Sequence, residues 1–271
     1  MKRLSPDLLL GTIFAGGMVL AILSSGWTFP DNGEAMDLAA RLRPPFDNWA
    51  HPLGTDPIGR DVLARVVAGG WVSLTVGVLS VLGATIFGVL MGLIAGYFGG
   101  VWDLLVMRWA DVQLALPFIL VAITFTAILG ADQYFLILFM IVAQWVQYAR
   151  VVRASVMSLR EREFVLAARA MGLVDWAIIW RHVLPNAFAP VLVLMTLNVA
   201  NNILLESSLT FLGLGIDPLT PSWGGMLADG RTYLQTAWWV SVFPGVAIMM
   251  TVLGLNLLGD WLRDRLDPRG G

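Results

Sequence analysis

Apolar stretches long enough to cross a bilayer recur along this chain, and they constrain its fold more than any other feature. A transmembrane helix needs about 20 mostly apolar residues. Windows of this kind run from Leu8 to about Ser25, about Trp71 to Ala95, Leu104 to Leu129, Tyr134 to about Tyr148, and Trp238 to Leu258. A weaker window, Ala187 to Leu205, carries Asn198, Asn201 and Asn202. Composition agrees. Of the 271 residues 58% are apolar and 13% charged, with a mean hydropathy of +0.76, against roughly 45–50% and about 25% in a soluble domain. The sequence therefore predicts an all-α integral membrane protein with six transmembrane helices. Ser24-Ser25-Gly26 would also suit signal-peptide cleavage, but the length of the first window and the spans behind it favour an uncleaved anchor.

Six spans put both termini on one side. With the N-terminus inside, the inner segments hold 12 Lys and Arg residues and the outer segments 5, a bias that places both termini in the cytoplasm. The expected organisation is an N-terminal tail and first helix (1–26), an outer loop (27–70) and a transmembrane core (71–260) containing a cytoplasmic loop (150–190). A cytoplasmic tail (261–271) follows.

Several function classes drop out. The net charge of −2 leaves no electrostatic footprint for nucleic acid. The chain has no cysteine, and its one lysine is Lys2, so it lacks the Gly-Lys-Ser/Thr of a nucleotide-binding P-loop. His51 and His182 fall on opposite sides of the expected topology, and no cluster has metal-ligand spacing. No catalytic residue, metal ligand or cofactor site is expected in this chain.

Polar and small residues inside the spans leave alternatives open. Ala84, Gly88, Gly92 and Gly96 recur every four residues, a spacing that lets helix backbones approach closely in lipid, either inside the bundle or between chains. Asn198, Asn202 and Glu206 share one helix face, with Asn201 beside them; they either line a translocation path or bond neighbouring helices. Asp111 and Arg108 stand three apart, as an internal ion pair would, and Gln144, Gln147 and Tyr148 form a weaker stripe.

The cytoplasmic stretch from Arg150 to Pro190 is too long for a tight connection. A helical pattern follows Arg160-Glu161-Arg162-Glu163, Gly172 breaks it, Asp175 starts another helix bearing Trp176 and Trp180, and Pro185 and Pro190 are expected to close it. Such an element fits a groove on a partner or lies on lipid.

Ala167-Ala168, three residues, Gly172, nine residues, then His182-Val183-Leu184-Pro185 resembles the EAA loop of bacterial ABC importer permeases. Three further blocks resemble the dipeptide, oligopeptide and nickel branch of that family: His51-Pro52-Leu53-Gly54-Thr55-Asp56-Pro57-Ile58-Gly59-Arg60-Asp61, Phe211-Leu212-Gly213-Leu214-Gly215-Ile216 with Pro221-Ser222-Trp223-Gly224, and Asn256-Leu257-Leu258-Gly259-Asp260-Trp261 with Leu266-Asp267-Pro268. The resemblance covers residue 40 or so to the end. It departs from the pattern at Leu166, where the motif has its glutamate, and at His182, where isoleucine is usual.

The resemblance implies a MetI-like permease fold in the bacterial inner membrane, a second homologous permease, and two ATP-binding subunits or one two-domain ATPase that bind the ATP and magnesium. It also implies an extracytoplasmic binding protein that delivers peptide, or nickel or another small solute. Glu163, Phe164, Leu166, Ala167, Ala168, Arg169, Gly172, Asp175, His182, Leu184 and Pro185 would then form the ATPase-coupling loop, and Asn198, Asn202 and Glu206 the candidate path. A proton-coupled secondary transporter using Asp111 and Glu206 is the alternative outside the family. It would need paired interrupted helices in the two halves, and no convincing pair is seen.

Overall fold

The computed structural model describes residues 6–29, 31 and 33–266; Lys2, Arg3, Asp267, Pro268 and Arg269 lie outside it. Its elements are helices: α1 (Asp7–Leu23), α2 (Val62–Phe98), α3 (Gly100–Leu114), α4 (Phe118–Leu129), α5 (Gln133–Leu159), α6 (Glu163–Ala170), α7 (Asp175–Phe211), α8 (Trp223–Gly230) and α9 (Trp239–Leu266). Four of them, α2, α5, α7 and α9, are long and apolar enough to cross a membrane, and α3 with α4 makes a fifth candidate bent by 85°. The apolar α1 is shorter than these. It packs on α9, where Gly11 faces the Gly254 backbone and Leu258.

The centre of the bundle is the α2–α5 pair. The small-residue stripe of α2 is what brings these helices together. A Cβ on Gly92 would stand 2.6 Å from the Ala149 carbonyl and 2.8 Å from Val152 Cβ, and one on Gly96 2.9 Å from Val156 Cβ. The stripe is thus consumed within the chain, and Val81, Ala84, Val89, Leu93, Tyr148, Val152 and Val156 form one buried cluster around it.

Three boundaries differ from expectation, each for a physical reason. Helix α2 begins at Val62, well before Trp71, so the outer loop is shorter than 27–70. Arg65 breaks the apolar window, yet it is buried and ion-paired with Asp56 at 2.8 Å, so its charge is no obstacle to helix. The third window is two helices, because Pro117 disfavours helical backbone at Leu116 and α4 restarts at Phe118. Finally, Pro185 and Pro190 do not close the inner element. Helix α7 runs unbroken through both for 37 residues. A π-helical turn at Ile179–Val183 precedes Pro185, and its wider ladder makes room for a ring that an α-turn would crowd. Asn186 Nδ2 also donates to the His182 carbonyl at 2.7 Å.

Candidate functional site

The loop between α5 and α7 is an ordered bracket. Val165 and Ala168 of α6 are buried in the same cluster as Tyr97, Ile178, Ile179 and Val183. At its end Gly172 takes a left-handed φ of +81°. Gly172 N–H donates to the Arg169 carbonyl and Leu173 N–H to the Ala168 carbonyl, at 3.0 and 3.2 Å, the double closure that favours glycine after a helix. The opposite face is open: Phe164, Leu166, Met171, Val174 and Trp176 are 42 to 74% exposed. Glu163, Ala167, Arg169, Asp175 and Pro185 are also exposed, while His182 and Leu184 are half-buried. Leu166, half exposed, enlarges this apolar face.

Tyr97, at the C-terminal end of α2, anchors the bracket. Its hydroxyl donates to Asp175 Oδ1 at 2.6 Å and accepts from Arg169 Nη2 at 3.2 Å, and the Arg169 guanidinium lies 5.6 Å from the Tyr97 ring centroid. One phenol therefore fastens both arms of the loop to α2. Arg160 Nη1 adds a bond to the Gly96 carbonyl at 3.2 Å. Sequence reasoning missed Tyr97, since nothing in its neighbourhood announces partners 72 and 78 residues away.

The stripe on α7 is buried and internally bonded. Asn198 Nδ2 donates to Tyr148 Oη at 2.8 Å and to Gln147 Oε1 at 3.3 Å, both on α5. Asn202 Nδ2 donates to Ser80 Oγ of α2 at 2.7 Å. Glu206 accepts from Thr210 Oγ1 at 2.9 Å and Ser207 Oγ at 3.2 Å. Asn198 and Asn202 thus bond neighbouring helices, while these two partners of Glu206 lie on α7 itself. Asn201, by contrast, is exposed.

Asp111 does not pair with Arg108. Its partner is Arg150 of α5, at 2.9 Å. Ala110, Trp145, Val146 and Ala149 pack together and bring α5 within reach of the carboxylate, whereas sequence spacing could weigh only same-helix partners. Arg153 of α5 likewise pairs with Asp103 of α3. Among the described residues no group of three or more His, Asp or Glu side chains is placed to hold a metal ion.

The sequence profile of binding-protein-dependent transport system inner membrane components matches residues 88–270. The chain belongs to this family. It is 46% identical over 83% of its length, and 73% of the relative's, to a dipeptide transport system permease protein of Alkalihalophilus pseudofirmus. It is 39% identical to a di/tripeptide transport system permease protein of Pseudomonas aeruginosa, over 96% of this chain and 87% of the other. A glutathione transport system permease protein of Pectobacterium atrosepticum is 40% identical over 81% and 73%. In fold, a chain of the MetNI methionine ABC transporter in inward-facing conformations superimposes with a TM-score of 0.57, covering 74% of this chain and 96% of that one at 19% identity. The fold is MetI-like, and the protein is a multi-pass permease of the inner membrane.

The opposite end of the permease carries a second built region. Asp56 is buried, and its carboxylate accepts from Arg60 Nε at 2.6 Å, from Arg65 Nη1 at 2.8 Å and from the Ile58 and Arg60 amides at 2.9 Å each. Asp229 of α8 stands 3.4 Å from Arg65 and 3.6 Å from Arg60. Asp61 caps α2 through the Ala64 amide at 2.8 Å and meets His51 Nδ1 at 2.8 Å. Trp239 Nε1 donates to the Thr55 carbonyl at 3.0 Å, and Trp223 Nε1 to that of Val66 at 2.7 Å. The block from His51 to Asp61 is thereby locked to α2, α8 and α9.

Proposed function

We propose that this permease is one of two transmembrane subunits of an ATP-driven importer of peptides. Two ATP-binding subunits, or one two-domain ATPase, would dock on the loop at 150–190. An extracytoplasmic binding protein would deliver substrate to the face built around Asp56, and the other permease would complete the path. The chain would cross the membrane six times with both termini in the cytoplasm. Peptide is the substrate class because the relatives above carry dipeptide, di/tripeptide and glutathione transport in their names.

One observation carries the coupling role. Phe164, Leu166, Met171, Val174 and Trp176 expose an apolar surface on a bracket that is itself rigidly held. Exposed apolar patches rimmed by charge mark protein contacts, and Arg162, Glu163 and Arg169 supply the rim. The transporter would have no ATP or magnesium site in this subunit, and hydrolysis would belong to its partners.

The test is co-purification with the cognate ATPase subunits and ATP-driven uptake in proteoliposomes. Ala167→Arg, at an exposed position of α6, is expected to leave membrane insertion intact while abolishing ATPase capture and uptake. Wild-type capture by this variant would overturn the assignment.

A further inference from the structure

Asn198 and Asn202 of the stripe expected to line the path are occupied in bonding helices, but a second polar track crosses the same region and is open. It begins at the inner third with Arg108, Asp111 and Arg150, all exposed, the last two joined at 2.9 Å. It continues one turn deeper on α5 with Gln147, also exposed, which meets Asn198 of α7 at 3.3 Å. It ends one turn further along α7 at Asn201, which is exposed ten residues before the end of that 37-residue helix. Three different helices, α3, α5 and α7, thus contribute exposed polar groups to this track.

Long side chains such as Arg108 and Arg150 reach the aqueous interface from some depth. The short carboxamides of Gln147 and Asn201 do not, and an amide open to hydrocarbon lacks the partners that water supplies. Water is therefore the medium this track fits.

Resting on the importer reading above, we propose that Arg108, Asp111, Arg150, Gln147 and Asn201, rather than Asn198, Asn202 and Glu206, form this subunit's wall of the aqueous translocation path. The chemistry of the wall suits a zwitterionic, amide-bearing solute. Guanidinium and carboxylate groups stand side by side at the inner end, and carboxamides that both donate and accept follow at one-turn intervals. Asn198 and Asn202 act behind the wall, fixing α7 to α5 and α2.

The absence of cysteine from the chain makes the test direct. Gln147→Cys and Asn201→Cys are made singly, with Ile13→Cys on α1 and Met249→Cys on α9 as exposed apolar controls. The assembled importer, its partner subunits freed of cysteine, is treated in membranes with the cationic thiol reagent methanethiosulfonate ethyltrimethylammonium. Positions 147 and 201 are expected to react on the order of fiftyfold faster than 13 and 249, the ratio to which a membrane-insertion cost of about 2.5 kcal/mol for a charge converts. Saturating dialanine with its binding protein and ATP should slow the reaction at both.

Reactivity at 147 and 201 as low as at 249 would overturn the proposal in favour of a dry contact with the second permease. Fast reaction that dialanine leaves unchanged, with uptake surviving modification, would overturn it too. Absence of ATP-driven uptake in the unmodified complex would sink the importer reading instead, while the labelling contrast still reports whether the track is wet.

Discussion

Replacing Tyr97 by phenylalanine removes a single oxygen and isolates what it does. The ring stays in its buried site, and the contact with the Arg169 guanidinium survives with it. What disappears is one hydroxyl that donates to Asp175 at 2.6 Å and accepts from Arg169 at 3.2 Å. A hydrogen bond to a charged partner contributes about 1.5–3 kcal/mol when sheltered. Both partners are exposed here, which screens them, so the two bonds together are expected to contribute about 1.5 kcal/mol. That converts to roughly a tenfold rise in the population with the bracket detached from α2. Hydrogen exchange reads it: the amides of Leu166 to Met171 should exchange about tenfold faster in Tyr97→Phe, while those at the centre of α5 stay unchanged. ATP-driven uptake should fall with ATPase capture retained. Wild-type exchange across α6 would refute the reasoning, for the hydroxyl would then hold nothing.

Other perturbations have defined outcomes. Gly92→Ala places a methyl 2.6 Å from the Ala149 carbonyl; overpacking of this kind costs about 1–3 kcal/mol, so the thermal unfolding midpoint in detergent should drop, and an unchanged midpoint would contradict the close α2–α5 approach. Asp56→Asn leaves Arg65 buried without its nearest carboxylate, a loss of about 3–5 kcal/mol for broken buried pairs, and limited proteolysis should cut the 37–61 segment faster than in the wild type. Gly172→Ala has open space for its methyl but inherits a φ of +81°. The strain is about 1 kcal/mol, so exchange at Leu173 should quicken while insertion is unaffected. Asn202→Leu leaves Ser80 Oγ without its side-chain donor in a buried site and should lower the midpoint by an amount that Ser80→Ala, made together with it, partly restores.

The legible parts of this chain are the ones that depend on neighbours within a few residues. The apolar windows, the stop at Gly172, the start at Asp175 and the four-residue spacing of Gly88, Gly92 and Gly96 are all local signals. What stayed hidden depends on partners far along the chain. Arg65 reads as a loop residue until Asp56 and Asp229 are brought beside it. Asp111 has a plausible partner at Arg108, and only the α3–α5 packing supplies the better one in Arg150. The prolines of α7 misled for a different reason. Proline ends an isolated α-helix, but a π turn before Pro185 makes room for its ring and lets this one continue. Among the polar residues of α7, residue type was legible and facing was not. Asn198 and Asn201 are alike in sequence, and only the neighbouring helices decide that one is sealed and the other open.

The unbroken course of α7 has a mechanical corollary. At about 1.5 Å per residue its 37 residues make a rod some 55 Å long, longer than the roughly 30 Å of hydrocarbon it crosses. It is pinned to its neighbours about two-thirds of the way along, by Asn198 and Asn202, which gives it a fulcrum. In an importer of the kind proposed, a displacement of Trp176 and Trp180 one way, carrying α2 with it through the Tyr97–Asp175 bond, would move Ser208 and Phe211 the other way at the far tip. Openings at the two tips of such a beam would then alternate, without any separate signal telling one to shut before the other opens.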